Sequence, residues 1–342
     1  MRTVYVAMSG GVDSSVAALL LKRKGFRVVG VFMKPWSASA KASARQAACM
    51  WHRDREDALA VSARLGIELK TWDFSRQYGA RVATPMVAGY RRGITPNPDV
   101  DCNRHIKFGL FAQRAFREGA DFIATGHYAR VTSGKLMTAV DGNKDQTYFL
   151  WGVPVRALTR TLFPIGHLTK PQVRAIARRA GLATATKKDS QGVCFVGDMD
   201  VKSFLAVRIT ARPGDIMHVD GRILGRHDGA AFYTTGQRHG LDIKDGDGPY
   251  FVVRRDMKKN VIVVGDEKDL LSKTARITHT HWFGSWPSGR VAIKVRYRTP
   301  AVPATLSRTG HISFTKPVRA IAPGQSAVFY QGRRVLGGGI LA

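Results

Sequence analysis

The first 73 residues alternate two hydrophobic periods, and no other feature of the chain restricts its fold so strongly. Apolar strand-like runs at 4–8, 28–33 and 68–73 are separated by stretches of helical period at 14–24 and 53–65. This is βαβαβ patterning, and because crossovers between parallel strands are right-handed and lay helices on the sheet faces, a doubly wound parallel α/β sheet is the economical topology. A further run, Asp121-Phe122-Ile123-Ala124-Thr125, ends in Gly126-His127-Tyr128. Ligands of such sheets bind at the carboxyl ends of the strands, so Gly126 and His127 stand where chemistry is expected. From about Arg212 the texture changes to short β-branched runs broken by Gly and Asp, which predicts a small β-rich central domain and a C-terminal β-barrel. The expected division is 1–205, 206–270 and 271–342, and the Ser/Ala-rich stretch 37–48 reads as a mobile loop.

Composition narrows the partners. The 342 residues carry 54 Lys+Arg against 25 Asp+Glu, a formal charge of +29 spread over both halves of the chain, with 44% hydrophobic residues. That is too apolar for a disordered basic tail, and a field of this sign attracts polyanions, nucleic acid first among them. No run approaches the roughly 18 apolar residues of a membrane span, and the chain opens on a strand-like segment, so a cytosolic protein with no membrane partner is expected. Three scattered cysteines, Cys49, Cys102 and Cys194, suit neither a disulfide framework nor a CxxC zinc site. Thr169-Lys170-Pro171 opens a helix that Gly181 closes, and Lys170, Arg174 and Arg178 recur along its expected solvent side as a candidate RNA-contacting stripe.

Directly after the first strand comes Ser9-Gly10-Gly11-Val12-Asp13-Ser14-Ser15, leading into the apolar helix. Glycines let main-chain N–H groups approach phosphate oxygens, the helix N-terminus adds a favourable dipole, and the serine hydroxyls donate further bonds. A Walker A loop is excluded because no Gly-Lys-[Ser/Thr] is present. The SGGVDS sequence in this setting resembles the pyrophosphate (PP) loop of the N-type ATP pyrophosphatases, which adenylate an oxygen and then let a nucleophile displace AMP. On the residues of the loop alone, an amine-transferring enzyme of that superfamily and a non-catalytic ATP-gated RNA-binding protein stay open.

Two further segments, Thr95 through Asn103 (TPNPDVDCN) and Lys188 through Gly197 (KDSQGVCFVG), resemble signatures of the tRNA-specific 2-thiouridylases. So do ATGHYAR at 124–130, DGNKDQTYFL at 141–150, TGQR at 235–238, RYR at 296–298 and APGQ at 322–325, in order along nearly the whole chain. The resemblance implies ATP-dependent exchange of the C2 oxygen of the wobble uridine, U34, for sulfur, in family tRNAs for lysine, glutamate and glutamine. It implies Cys194 as persulfide carrier, Cys102 as the nucleophile forming a transient disulfide with it, and Asp99 as acid/base. Ala7, Met8, Ser9, Gly10, Gly11, Val12, Asp13, Ser14, Met33 and Gly126 would bind ATP, with magnesium on the phosphates and no protein ligand assigned to it. Asn97, Pro98 and Asp99 would receive the target base, while His127, Lys144, Asp145, Gln146, Arg296, Tyr297 and Gln325 would contact tRNA. The sulfur would come from a cysteine desulfurase or a sulfur-relay carrier. Asp101 departs from the family's usual apolar residue, and a carboxylate there would raise the pKa of the Cys102 thiol.

Overall fold

A computed structural model describes residues 1–36, 41–188, 201–287 and 289–342, with the backbone only over 41–50. The chain forms two compact units.

The first unit comprises Met1–Val82, Pro98–Met199 and Arg333–Val335. Its centre is a parallel sheet of β1 (Thr3–Met8), β2 (Arg27–Lys34), β3 (Glu68–Asp73), β4 (Phe122–Thr125) and, beyond the hairpin described below, β7 (Thr161–Leu162), in the order β3-β2-β1-β4-β7. Val4–Met8 and Val28–Met33 are buried throughout, as in a sheet covered on both faces, which is why they read as continuous apolar runs. Helix α1 (Val12–Arg23) carries Asp13 in its first turn and Lys22 and Arg23 in its last, both signs suited to the helix dipole. It ends at Gly25, whose φ of 79° lets the chain turn back into β2. Helix α2 (Lys41–Leu65) corrects one expectation: 41–48 is helical rather than loop, whereas 37–40 lie outside the described residues. Alanine, the best helix former, occurs throughout that stretch, so propensity favours extending the helix. The hairpin β5 (Ala129–Thr132) and β6 (Lys135–Thr138) turns on Ser133 and Gly134, both at positive φ as a tight two-residue turn requires.

The second unit comprises Ala83–Asn97, Asp200–Gly332 and Leu336–Ala342. One sheet joins β8 (Gly214–His218), β9 (Ile223–His227), β10 (Phe251–Asp256) and β11 (Val261–Gly265), with a core of Ile216, Tyr233, Val252, Ile262 and Val264. The other strands, β12 (Leu271–Trp282), β13 (Arg290–Lys294), β14 (Val302–Leu306), β15 (His311–Arg319), β16 (Ser326–Gln331) and β17 (Arg334–Leu341), form an antiparallel barrel. It closes where Ile277 pairs with Leu341 and Trp282 with Gly337, around Ile293, Ile312, Phe314 and Phe329.

Candidate functional site

Strand order places the site. Neighbours β1 and β4 lie where the connections of the sheet run off in opposite directions, the crevice in which open α/β sheets bind ligands. The 9–14 loop leaves the end of β1 at this point. Gly10 takes φ 71°, and a side chain on it would run into the Asp54 carbonyl. Gly11 caps α1, and its carbonyl accepts from Ser14 Oγ (3.1 Å) and Ser15 Oγ (2.8 Å), while the Ser9 N–H donates to Ser14 Oγ at 3.2 Å. The hydroxyls thus hold the turn open around first-turn amides that have no partner within the helix.

Gly126 closes the other side: a Cβ there would stand 2.6 Å from the Ser14 nitrogen and 2.8 Å from the Asp13 carbonyl carbon. Ala7 and Met8 are buried in β1, with Ala7 opposite Thr125 of β4. Met33 is buried near the end of β2, paired with Trp72. Loop, strand ends and helix start therefore form a cradle of backbone whose shape and donors suit a polyphosphate.

Two lysines reach this loop, and neither was recognised from sequence. Lys170, only 9% exposed, places Nζ 2.9 and 2.8 Å from the two carboxylate oxygens of Asp13, and the Tyr128 hydroxyl donates to Asp13 Oδ1 at 3.0 Å. Its own N–H donates to Asp141 Oδ2 at 2.9 Å, so the carboxylate of Asp141 caps the helix Lys170–Arg179. The solvent-side basic stripe is thereby corrected. Lys170 faces inward, Arg174 donates to the Ala185 carbonyl at 3.0 Å, and Arg178 and Arg179 are the exposed cations of that helix. Lys187 donates to the Gly10 carbonyl (3.0 Å), Asp54 (2.6 Å) and Asp57 (2.5 Å). Burial pulls its pKa down, but the bonds to Asp54 and Asp57 leave it raised. An acidic pair one helical turn apart with a lysine far downstream was the only available signal.

Asp99 and Asp101 lie in the short helix Pro98–Asp101, which runs on into the wide-turned helix Cys102–Phe111. Pro98 is buried, and Asn97 and Asp99 are half-buried. Cys102 is fully buried, at 0% exposure. Burial pushes the carboxyl of Asp101 up to about 6 despite the nearby Arg104, and it lowers the basicity of His105, to which Arg104 and Arg81 add repulsion. Asn103 donates to the Phe149 carbonyl at 3.0 Å, while its buried Oδ1 has no hydrogen-bond partner among the described residues. Cys194, with the rest of 189–200, lies outside the described residues, as do the side chain and surroundings of Cys49.

Of the residues expected at tRNA, His127 is 8% exposed, its Nδ1 2.8 Å from Thr125 Oγ1, and burial followed by Lys107 holds it well below the usual histidine pKa, in the neutral form. Asp145 is buried and accepts from the Ala139 N–H (2.9 Å) and the Thr147 hydroxyl (2.8 Å); Gln146 accepts from the Tyr128 N–H (2.9 Å). Both hold the 141–147 loop, on which Lys144 is half-buried. In the second unit, Arg296 packs against Gly236, Arg298 lies 5.3 Å over the Tyr297 ring, and Gln325 Nε2 donates to the Thr95 carbonyl at 2.9 Å.

Family models described as the tRNA methyl transferase HUP domain, the tRNA methyl transferase PRC-barrel domain and the aminomethyltransferase β-barrel domain match residues 2–198, 202–266 and 272–341. The tRNA-specific 2-thiouridylase MnmA of Bacillus licheniformis is 45% identical over 99% of this chain and 94% of its own length. The tRNA-specific 2-thiouridylase MnmA 2 of Geobacillus kaustophilus is 45% identical, and the MnmA of Streptococcus sanguinis 44%, at the same coverage. Fold and loop define a PP-loop α/β protein with a C-terminal β-barrel. Within that class the chain belongs to the tRNA-specific 2-thiouridylase family.

Proposed function

We propose that this protein is a tRNA-uridine 2-sulfurtransferase that uses ATP to replace the C2 oxygen of the wobble uridine with sulfur. The observation that carries this reading is the SGGVDS cradle at the β1/β4 switch point, closed by Gly126, in a chain 45% identical to 2-thiouridylases over almost its full length.

A uracil carbonyl is a poor electrophile, and adenylation of its oxygen, with release of pyrophosphate, makes AMP the leaving group. The loop amides and the hydroxyls of Ser9 and Ser14 would hold the phosphates, with Ala7, Met8, Met33 and Gly126 around the nucleotide. Magnesium, entering with ATP, would offset the charge of the triphosphate. The base would enter beside Asn97, Pro98 and Asp99, extruded from the anticodon stack, with Asp99 moving the proton. The terminal sulfur of a Cys194 persulfide would attack C2 and expel AMP. The Cys102 thiolate would then attack Cys194 Sγ, breaking the S–S bond so that sulfur stays on C2 and a Cys102–Cys194 disulfide remains.

A uridine-34 tRNA, of the lysine, glutamate or glutamine type, is the polyanion that the +29 charge would attract, with Lys144, Arg296 and Tyr297 as contacts and His127, Asp145, Gln146 and Gln325 shaping the surface. A cysteine desulfurase or relay carrier would load the persulfide. No helix among the described residues is long and apolar enough to cross a membrane, and a cytoplasmic site of action fits this substrate. The test is nucleoside mass spectrometry of unmodified tRNA incubated with protein, ATP, magnesium and a persulfide donor. 2-Thiouridine at position 34 with intact Cys194, and none with Cys194→Ala, is the expected result. ATP cleavage to AMP with no sulfur in the RNA would instead leave an amine-transferring PP-loop enzyme.

A further inference from the structure

Lys170 occupies an expensive position. It is the first residue of its helix, where a cation opposes the helix dipole, and it is only 9% exposed, where an ammonium needs a partner to offset its lost hydration. Its N–H is pinned by Asp141 and its Nζ spans both oxygens of Asp13, which also takes the Tyr128 hydroxyl. Residues from two distant stretches, 124–130 and 169–179, thus converge on one carboxylate of the phosphate loop, and Asp141 fixes the start of the second.

That carboxylate is a problem for a phosphate loop. Asp13 lies in the first turn of α1, the positive helix end that an incoming phosphate also seeks. A bare carboxylate there would satisfy the helix and repel the ligand. A lysine bound to both of its oxygens removes the repulsion without removing the hydrogen-bond acceptor that Tyr128 uses. Building on the nucleotide-site reading above, we infer that Lys170 is a positioning residue of the ATP site, acting through Asp13: it neutralises and orients that carboxylate so that the 9–14 loop accepts a triphosphate.

The inference predicts coupling between two charges, which a merely structural lysine would not show. Calorimetric titration of the full-length protein with ATP and magnesium tests it in wild type, Lys170→Met, Lys170→Arg and Lys170→Met in an Asp13→Asn background. Lys170→Met is expected to weaken ATP binding about tenfold or more in the wild-type background and by less than about threefold where residue 13 is asparagine. Lys170→Arg, which keeps the charge, is expected to recover most of the affinity. Thermal unfolding of each variant separates lost binding from lost folding, and the cycle is read only between folded pairs. If Lys170→Met binds like wild type, or loses as much affinity with Asp13→Asn as without it, the lysine does not act through Asp13 and the inference is overturned. A wild-type protein that binds no ATP overturns the nucleotide-site reading and this inference with it.

Discussion

Gly126, the residue after β4, rests against the backbone of Ser14 in the first turn of α1, so close that a Cβ would stand 2.6 Å from the Ser14 nitrogen. Neither partner can give by rotating a side chain, because the obstacle is main chain. Gly126→Ala is therefore expected to push the 9–14 loop away from β4, costing about 1–3 kcal/mol of stability and weakening ATP binding at least about tenfold. Calorimetry and thermal unfolding of the same variant measure the two losses separately; unchanged affinity would show that the loop does not need this contact.

Lys187 ties Gly10 to Asp54 and Asp57 of α2 through one ammonium. Lys187→Met leaves two carboxylates facing each other and the Gly10 carbonyl without this donor. The groups are about one-third exposed, so solvent screens much of the loss, and about 1–2 kcal/mol is expected at pH 7 by urea denaturation. The folded-state pKa of Lys187 is raised, so the contribution is fully present below the unfolded pKa of 10.5 and is lost only as pH rises through the higher folded value. The wild-type advantage should accordingly stay flat from pH 7 to about 10.

Asp101 gives a pH dependence of the opposite kind. Burial raises its folded pKa to about 6 from an ordinary 3.8, so the folded state holds the proton more tightly than the unfolded one. Stability referred to this group falls as pH climbs through the interval between those values, and stays low above it. Asp101→Asn should therefore match wild type below about pH 4 and exceed it by about 2–3 kcal/mol at pH 7.5. Unfolding midpoints across this range decide it; equal stabilities at pH 7.5 would mean that the carboxylate is well solvated.

Arg255 donates to the carbonyls of Gly93 (2.6 Å) and Tyr233 (2.5 Å) and to Thr95 Oγ1 (2.9 Å), and Gln325 holds the Thr95 carbonyl. The stretch so clamped runs directly into Asn97. Arg255→Met strips donors from three acceptors at once, and about 2–4 kcal/mol of destabilisation is expected in thermal unfolding. Gln325→Ala removes one amide donor and should cost about 1 kcal/mol. A loss of thiolation in Gln325→Ala far beyond that small stability change would indicate a direct role at tRNA.

What could be read from the chain, and what could not, divides along physical lines. The buried parallel strands announce themselves because both faces are apolar, and the central-domain strands because β-branched runs are bounded by Gly and Asp. Strands β12, β14 and β15 escape such a reading: Leu271–Trp282 is largely polar and half-exposed along its length, so its pairing rather than its pattern makes it a strand. The phosphate loop was legible because its chemistry is local, with glycines, hydroxyls and helix start within seven residues.

Lys170 and Lys187 were not legible in this way. In sequence the first belongs to a basic helical stripe whose period directs it to solvent, and the second to a lysine pair outside any periodic run. Sequence by itself determined the α/β class, the loop, the motif series and the candidate thiols, because each is written in neighbouring residues. Tertiary structure alone decided that Lys170 meets Asp13 across 157 positions of chain, and that the backbone of Asp13 and Ser14 fills the space where a side chain on residue 126 would stand. The reason is that the partner of a buried charge and the space beside a backbone are set by which strands and helices become neighbours, which no local pattern records.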